Sequence, residues 1–216
     1  MIKQVDDGFW IPVLGDTCHV WSKHEIGGPE FLKTVCEYDY NFKIQNVIHA
    51  GGNTGLYALE FAKFADNVYV FEPESVNFNC MALNCASVHN IFMYKAALAD
   101  KHEHVGLLNP AEDKQTGAWA VDGYGNIPTL RIDDFNIPNV SIIHLDIEGF
   151  ELIALRGAQE TIKKWKPMIA VEDLGNSENY GYSIDVLESF LNQFGYHEYL
   201  PYGSERMYSC RERIVK

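Results

Sequence analysis

The run Val47-Ile48-His49-Ala50-Gly51-Gly52-Asn53-Thr54-Gly55, followed by Val70-Phe71-Glu72-Pro73, constrains the fold of this chain more than any other feature. A β-branched apolar strand enters a glycine-rich turn, residues Leu56, Leu59, Phe61 and Phe64 recur at helical spacing, and a second apolar strand ends on an acid. That order describes a βαβ unit. Glycines at 51 and 55 let the backbone pass close to a ligand and let the helix pack on the strand. Glu72 stands where an acid can accept both hydroxyls of a ribose. The turn is Gly-x-Asn-x-Gly, not the Gly-x-Gly-x-x-Gly that sets a helix N-terminus on a pyrophosphate, so a nucleoside without a diphosphate fits better, S-adenosylmethionine being the common one. Glycine-rich turns also occur in α/β folds that bind no nucleotide. The added carboxylate, with proline and a helix over 75–88 behind it, favours a nucleoside site.

Composition agrees with one α/β domain. The chain has 216 residues, somewhat long for an average domain and short for two, and its 47% hydrophobic content suffices for one buried sheet. No apolar run reaches the ~18 residues that span a bilayer, and residues 1–7 lack the basic and apolar regions of a signal peptide, so the expected location is cytoplasmic, with no membrane partner. Cys18, Cys36, Cys80, Cys85 and Cys210 are odd in number and scattered, which reads as reduced thiols. A formal charge of −13 argues against nucleic acid as a partner, because that binding rests on cationic side chains meeting phosphates.

Residues 1–45 read as an N-terminal unit packed on the core. Residues 9–22 alternate around Leu14-Gly15-Asp16 as a hairpin, and Gly27-Gly28-Pro29 starts a helix through Phe31, Leu32, Val35 and Tyr38. Residues 46–216 form the main α/β body. Strands are expected near 46–50, 67–71, 91–95, 141–146, 168–172, 196–200 and 206–210, and helices near 54–65, 75–88, 150–165 and 183–194. Residues 101–132 interrupt the alternation with Gly106, Pro110, Gly117, Gly123, Gly125 and Pro128 among short β-like runs, and read as a functional insertion or lid.

Polar chemistry concentrates where the fourth and fifth strands end. In His144-Leu145-Asp146-Ile147-Glu148, the polar residues alternate and share a face wherever the run is extended, and the fifth strand finishes in Glu172-Asp173. Parallel α/β sheets bind ligands beyond the carboxyl ends of their strands, which brings Asp146, Glu148, Glu172 and the 51–55 turn to one cleft. Close carboxylates repel unless a proton, a cation or hydrogen-bond donors compensate.

The chain resembles the FkbM-type family of S-adenosylmethionine-dependent methyltransferases. The likeness rests on Gly51-Gly52-Asn53-Thr54-Gly55, Phe71-Glu72-Pro73-Glu74 and Asp146-Ile147-Glu148-Gly149-Phe150-Glu151, and extends through Leu130-Arg131-Ile132-Asp133-Asp134, Leu155-Arg156-Gly157-Ala158 and Pro167-Met168-Ile169-Ala170-Val171-Glu172, over roughly residues 46–200. The resemblance implies a Rossmann-like seven-stranded methyltransferase sheet with helices on both faces and the last strand antiparallel. It implies methyl transfer from S-adenosylmethionine, usually to a hydroxyl oxygen. Carried over, Gly51, Asn53 and Gly55 would surround the methionine part of the cofactor, and His49, Gly52 and Thr54 are counted with them as cofactor-binding residues. Glu72 and Pro73 would lie at the ribose and Ala97 near the adenine, with Asp146 close to the transferred methyl.

Two positions depart from the family pattern, which usually has Asp at position 49 and Lys at position 144, where this chain has His49 and His144. A neutral imidazole accepts one hydrogen bond and a protonated one repels a cationic cofactor, so weaker or pH-dependent cofactor binding is expected. Candidate bases are Asp146, Glu148 and Glu172; the plainer alternative is that one or more merely bind backbone amides of the loop or cap the next helix. Magnesium or calcium on these acids and His144 is the other alternative, but the ligand spacing is not an established one and no metal is assigned. Trp119, Tyr124, Tyr180, Tyr182 and Tyr202 could stack on a flat or sugar-like acceptor, or simply pack. His102 and His104 read as a surface pair. The expected partner is a small-molecule or carbohydrate acceptor. Competing readings are a catalytically inactive nucleoside-binding or scaffold domain, and a nicotinamide-dependent oxidoreductase, which the glycine spacing disfavours.

Overall fold

The structure is a computed structural model, and it describes residues 2–5, 8–13, 43–109, 117–202 and 205–210. Seven strands build the central sheet: β3 (Asn46–Ala50), β4 (Asn67–Phe71), β5 (Ile91–Tyr94), β9 (Val140–Leu145), β10 (Met168–Glu172), β11 (His197–Tyr202) and β12 (Glu205–Ser209). Their order is β11-β12-β10-β9-β3-β4-β5. Neighbours from β10 to β5 are parallel, and β12 is antiparallel to both β10 and β11. The antiparallel last strand and the seven-strand count are as expected.

Strands β3 and β9 lie side by side at the centre, and every residue in them is buried. Both faces are covered, so the polar residues Asn46, His49, Ser141 and His144 of these strands are buried along with the apolar ones. Helices α1 (Leu56–Phe61) and α2 (Ser75–Asn84) belong with one face, where Val47, Ala58, Phe61, Val70, Met81 and Ile142 pack together. On the other face Ile48, Ile143, Leu145, Leu152, Leu155 and Ile169 pack with α3 (Glu151–Arg156), α4 (Gln159–Trp165) and α5 (Ile184–Asn192). Strand order turns in opposite directions on either side of the β3–β9 contact, and a ligand crevice opens at such a switch point.

The single helix expected over 150–165 is two. It breaks at Gly157, where an added Cβ would lie 2.0 Å from the Ala99 carbonyl oxygen. Asp133 then starts α4 by accepting the Glu160 N–H at 3.1 Å, the Thr161 N–H at 2.9 Å and the Thr161 hydroxyl at 2.8 Å. Periodicity missed the break because the apolar spacing continues across it.

The described residues within 101–132 are more regular than their glycines suggest. Strands β7 (His104–Leu108) and β8 (Ala120–Leu130) form an antiparallel ribbon with a register shift at Val105/Gly106, and β8 also pairs with β6 (Ala97–Leu98). At the N-terminus, β1 (Ile2–Gln4) pairs antiparallel with β2 (Trp10–Pro12). Asn84 of α2 ties β2 to the body, accepting the Trp10 N–H at 2.7 Å and donating to the Trp10 carbonyl at 2.9 Å. The turn at Leu14-Gly15-Asp16, the second arm of the expected hairpin and the helix after Pro29 lie outside the described residues.

Candidate active site

The glycine turn is built against both neighbouring strands. Gly51 and Gly52 N–H groups donate to the Phe71 carbonyl at 3.1 and 3.0 Å, which bends the chain over the end of β4. Gly51 has φ 87°, and a Cβ there would meet the Asp146 carbonyl oxygen at 1.8 Å. Both the left-handed backbone and the close approach therefore require glycine. The Asp146 N–H in turn donates to the Ala50 carbonyl at 3.1 Å, so the turn and the end of β9 are hydrogen-bonded neighbours.

Glu72 is buried beside this turn. One carboxylate oxygen accepts the Asn53 N–H at 2.7 Å and the other accepts the Glu74 N–H at 2.7 Å. Burial pushes its pKa up to about 7, against the two hydrogen bonds that favour the anion. Each carboxylate oxygen has two lone pairs, so capacity for ribose hydroxyls remains after these bonds. Pro73 follows in a half-buried position, and Glu74 caps α2 by accepting the Val76 and Asn77 N–H groups at 2.6 and 2.7 Å. The Glu72 N–H donates to the Tyr94 carbonyl at 3.1 Å, which fixes the end of β5 alongside, three residues before Ala97. Ala97 itself is buried in β6. Thr54 is buried too, and its carbonyl accepts from the Asn84 amide at 2.7 Å.

Asp146, Glu148 and Glu172 come together as expected. Carboxylate oxygens from all three lie within 4.8 Å of one another, near enough to share a proton or hold a cation. Burial, followed by the charges of Glu172 and Glu205, holds the Asp146 carboxyl well above the usual range, and a hydrogen bond to Glu172 adds to it. Burial and Glu172 raise Glu148 to about 7, although the Asn176 amide donates to it at 2.6 Å. Glu148 sits at φ 56°, a conformation that turns the chain sharply away from β9.

Sequence reasoning missed what holds this turn. Buried Glu151 accepts the Ile147 N–H at 3.2 Å and the Gly149 N–H at 3.1 Å, and the Tyr182 hydroxyl donates to the Gly149 carbonyl while accepting the Leu152 N–H at 3.1 Å. The amide-binding role weighed for the candidate bases thus belongs to the last acid of Asp-x-Glu-Gly-x-Glu. Tyr182 is mostly buried and lines the opening beside the acids. Tyr180 packs edge-on to Phe150, with ring centres 5.1 Å apart, and donates to the Val121 carbonyl at 2.8 Å, fastening the β7–β8 ribbon beside the acids. Tyr124 is almost wholly exposed on β8. His102 pairs with Asp134 at 2.7 Å on the surface. A small, open depression lies beside the acids, lined by Glu148, Glu172, Leu174, Asn176 and Ser177 among others.

His49 requires a correction. Its side chain is wholly buried among Tyr57, Phe61 and His144, and it presents no surface to a cofactor. The two departures from the family pattern prove to be one feature, because His49 and His144 are cross-strand partners whose Nδ1 atoms lie 2.9 Å apart. Burial, reinforced by His144, holds the His49 pKa well below 6.5.

A parallel sheet closed by one antiparallel strand, with a glycine turn, an acid after the second strand and further acids at the switch point, defines a Rossmann-like methyltransferase fold. A precorrin-6y C5,15-methyltransferase from Geobacter metallireducens shares it at TM-score 0.53 and 11% identity, over 94% of this chain and 93% of that one. The sequence model of the methyltransferase FkbM domain matches residues 49–198, and the chain belongs to that family. An FkbM methyltransferase from Methylobacillus flagellatus aligns at TM-score 0.49 and 20% identity, over 77% of this chain but 43% of the other, so this chain spans less than half that protein's length. An S-adenosylmethionine-dependent methyltransferase from Aquifex aeolicus aligns at TM-score 0.48 and 15% identity, over 87% and 92% of the two chains. No curated protein matches the chain in sequence. Among the described residues, no helix is long and apolar enough to cross a membrane.

Proposed function

We propose that this chain uses S-adenosylmethionine to methylate a hydroxyl group on a carbohydrate or small metabolite. The observation that carries this reading is the contact between Gly51 and the backbone of Asp146, which sets a nucleoside cradle directly against an acidic centre. The residues suit the cofactor: the glycine turn packs on Asp146, Val70 and Met81 too closely for any Cβ and leaves its backbone bare of side chains, and Glu72 is anchored beside it with lone pairs to spare. Bound there, S-adenosylmethionine supplies an electrophilic methyl group.

The chain's own residues do the rest. Glu72 orients the ribose. Glu148, with a pKa raised to about 7, is matched to accept the proton of an attacking hydroxyl near neutral pH. Asp146 and Glu172 share a hydrogen bond and keep negative potential where a cationic group would sit. The depression beside Glu148 and Glu172 is where an acceptor would approach, with Asn176 and Ser177 as polar contacts. The inactive-domain reading rested on His49, and a neutral, buried His49 removes the charge repulsion behind it.

Calorimetric titration with S-adenosylhomocysteine and, separately, NAD tests the reading. Binding of the first alone is expected. Binding of NAD alone would sink it.

A further inference from the structure

Beneath the glycine turn runs a buried polar chain that the proposed chemistry leaves unused. His49 on β3 and His144 on β9 point to the α1 face of the sheet, where both are wholly buried, with their Nδ1 atoms 2.9 Å apart. His144 Nε2 lies 3.2 Å from an oxygen of Glu205, the first residue of β12. Glu205 is the cross-strand partner of Glu172, and its charge acts on Asp146. Its second oxygen is buried without a hydrogen-bond partner among the described residues.

The partners fix the direction of these bonds. A carboxylate offers only acceptors, so His144 donates from Nε2; the tautomer that does so with a single ring proton has a bare Nδ1. That bare Nδ1 accepts from His49 Nδ1–H, which leaves His49 Nε2 without a proton. Nε2 is the ring atom that the structure leaves without a partner among the described residues, as a nitrogen with no proton to donate can be. An arrangement that leaves no buried N–H without an acceptor therefore runs from His49 to His144 to Glu205.

We infer that Glu205 is a fourth carboxylate of the centre, held in place by the His49–His144 relay, and that its charge favours the sulfonium cofactor over its neutral thioether product. The inference rests on the proposed methyltransferase reading. S-adenosylmethionine and S-adenosylhomocysteine differ at this point by one methyl group and one positive charge. Asp146, Glu148 and Glu172 form one cluster, and Glu205 adds its charge from the neighbouring strand. A charge fixed in a partly buried site discriminates between these two ligands, whereas a residue that only supports the fold affects both alike.

The test has two parts on the full chain. Nitrogen-15 spectra of the imidazoles at neutral pH should show His144 as the Nε2–H tautomer and His49 as the Nδ1–H tautomer; the opposite tautomers, or a doubly protonated His49, would overturn the relay. Calorimetry of the wild type and Glu205→Gln should show affinity for S-adenosylmethionine falling about fivefold to tenfold, with S-adenosylhomocysteine within about twofold. An equal fall for both ligands, or none for either, would overturn the charge role. If the wild type binds neither ligand, the methyltransferase reading and the charge role fall together, while the imidazole spectra still decide the relay.

Discussion

The Glu72 carboxylate and the Asn53 backbone are joined by a 2.7 Å hydrogen bond that crosses from the end of β4 to the glycine turn after β3. Its other oxygen holds the Glu74 N–H, so one buried acid sets both the turn and the entry to α2. Glu72→Ala leaves two amides without their partner, each costing about 1–3 kcal/mol if it stays dry. Affinity for S-adenosylhomocysteine should fall at least about tenfold, and the melting temperature should fall with it. Calorimetry and thermal melts check both; unchanged affinity would remove Glu72 from the ribose site.

Glu151 serves the acidic turn as Glu72 serves the glycine turn. Glu151→Ala strands the Ile147 and Gly149 N–H groups and loosens the backbone that carries Glu148. Destabilisation of about 2–4 kcal/mol is expected in a denaturant titration, mostly from unsatisfied donors. A change below about 0.5 kcal/mol would mean the turn holds without it.

Glu148 and Asp146 should separate kinetically. Glu148→Gln keeps the shape and the Asn176 contact but cannot take a proton, so turnover with a methyl acceptor should drop about 100-fold or more at unchanged S-adenosylhomocysteine affinity. Full activity in that variant would move the base to Asp146 or Glu172.

Buried acids also set the pH dependence of stability. Glu72 and Glu151 titrate near 7 in the folded chain against about 4.5 when exposed, so between those values the folded state holds protons that the unfolded state has lost. Their contribution is full below about pH 4.5, declines as pH rises and is gone above about 7. His49 acts in the opposite sense: its folded pKa lies well below 6.5, and stability is lost as pH falls below that value. With two such acids against one histidine, melting temperature should therefore change little from pH 8 to about 7 and rise as pH falls from about 7 towards 4.5. A melting temperature that climbs steadily from pH 6 to 8 would contradict this.

Much of this arrangement was legible in the sequence. Strands β3, β4 and β10 matched their expected bounds because buried parallel strands are short β-branched runs between clear turn signals. Asp146, Glu148 and Glu172 could be brought together by the rule that ligands sit beyond the carboxyl ends of parallel strands, and they do meet. Contacts between residues far apart in the chain were not legible. Nothing in the spacing links His49 to His144 across 95 residues, or His144 to Glu205 across 61. The ribbon at 101–132 hid behind glycines such as Gly106 and Gly125 that permit close backbone crossing within it, and composition alone reads those as loop.

The central claim is that a nucleoside cradle and an acidic centre form one site. Nitrogen-15 amide spectra of the labelled chain, recorded with and without S-adenosylhomocysteine, test it most directly. Shifts gathered at residues 51–55, 72–74 and 146–148 are the predicted result. An unchanged spectrum, or shifts confined to residues away from both turns, would contradict the account.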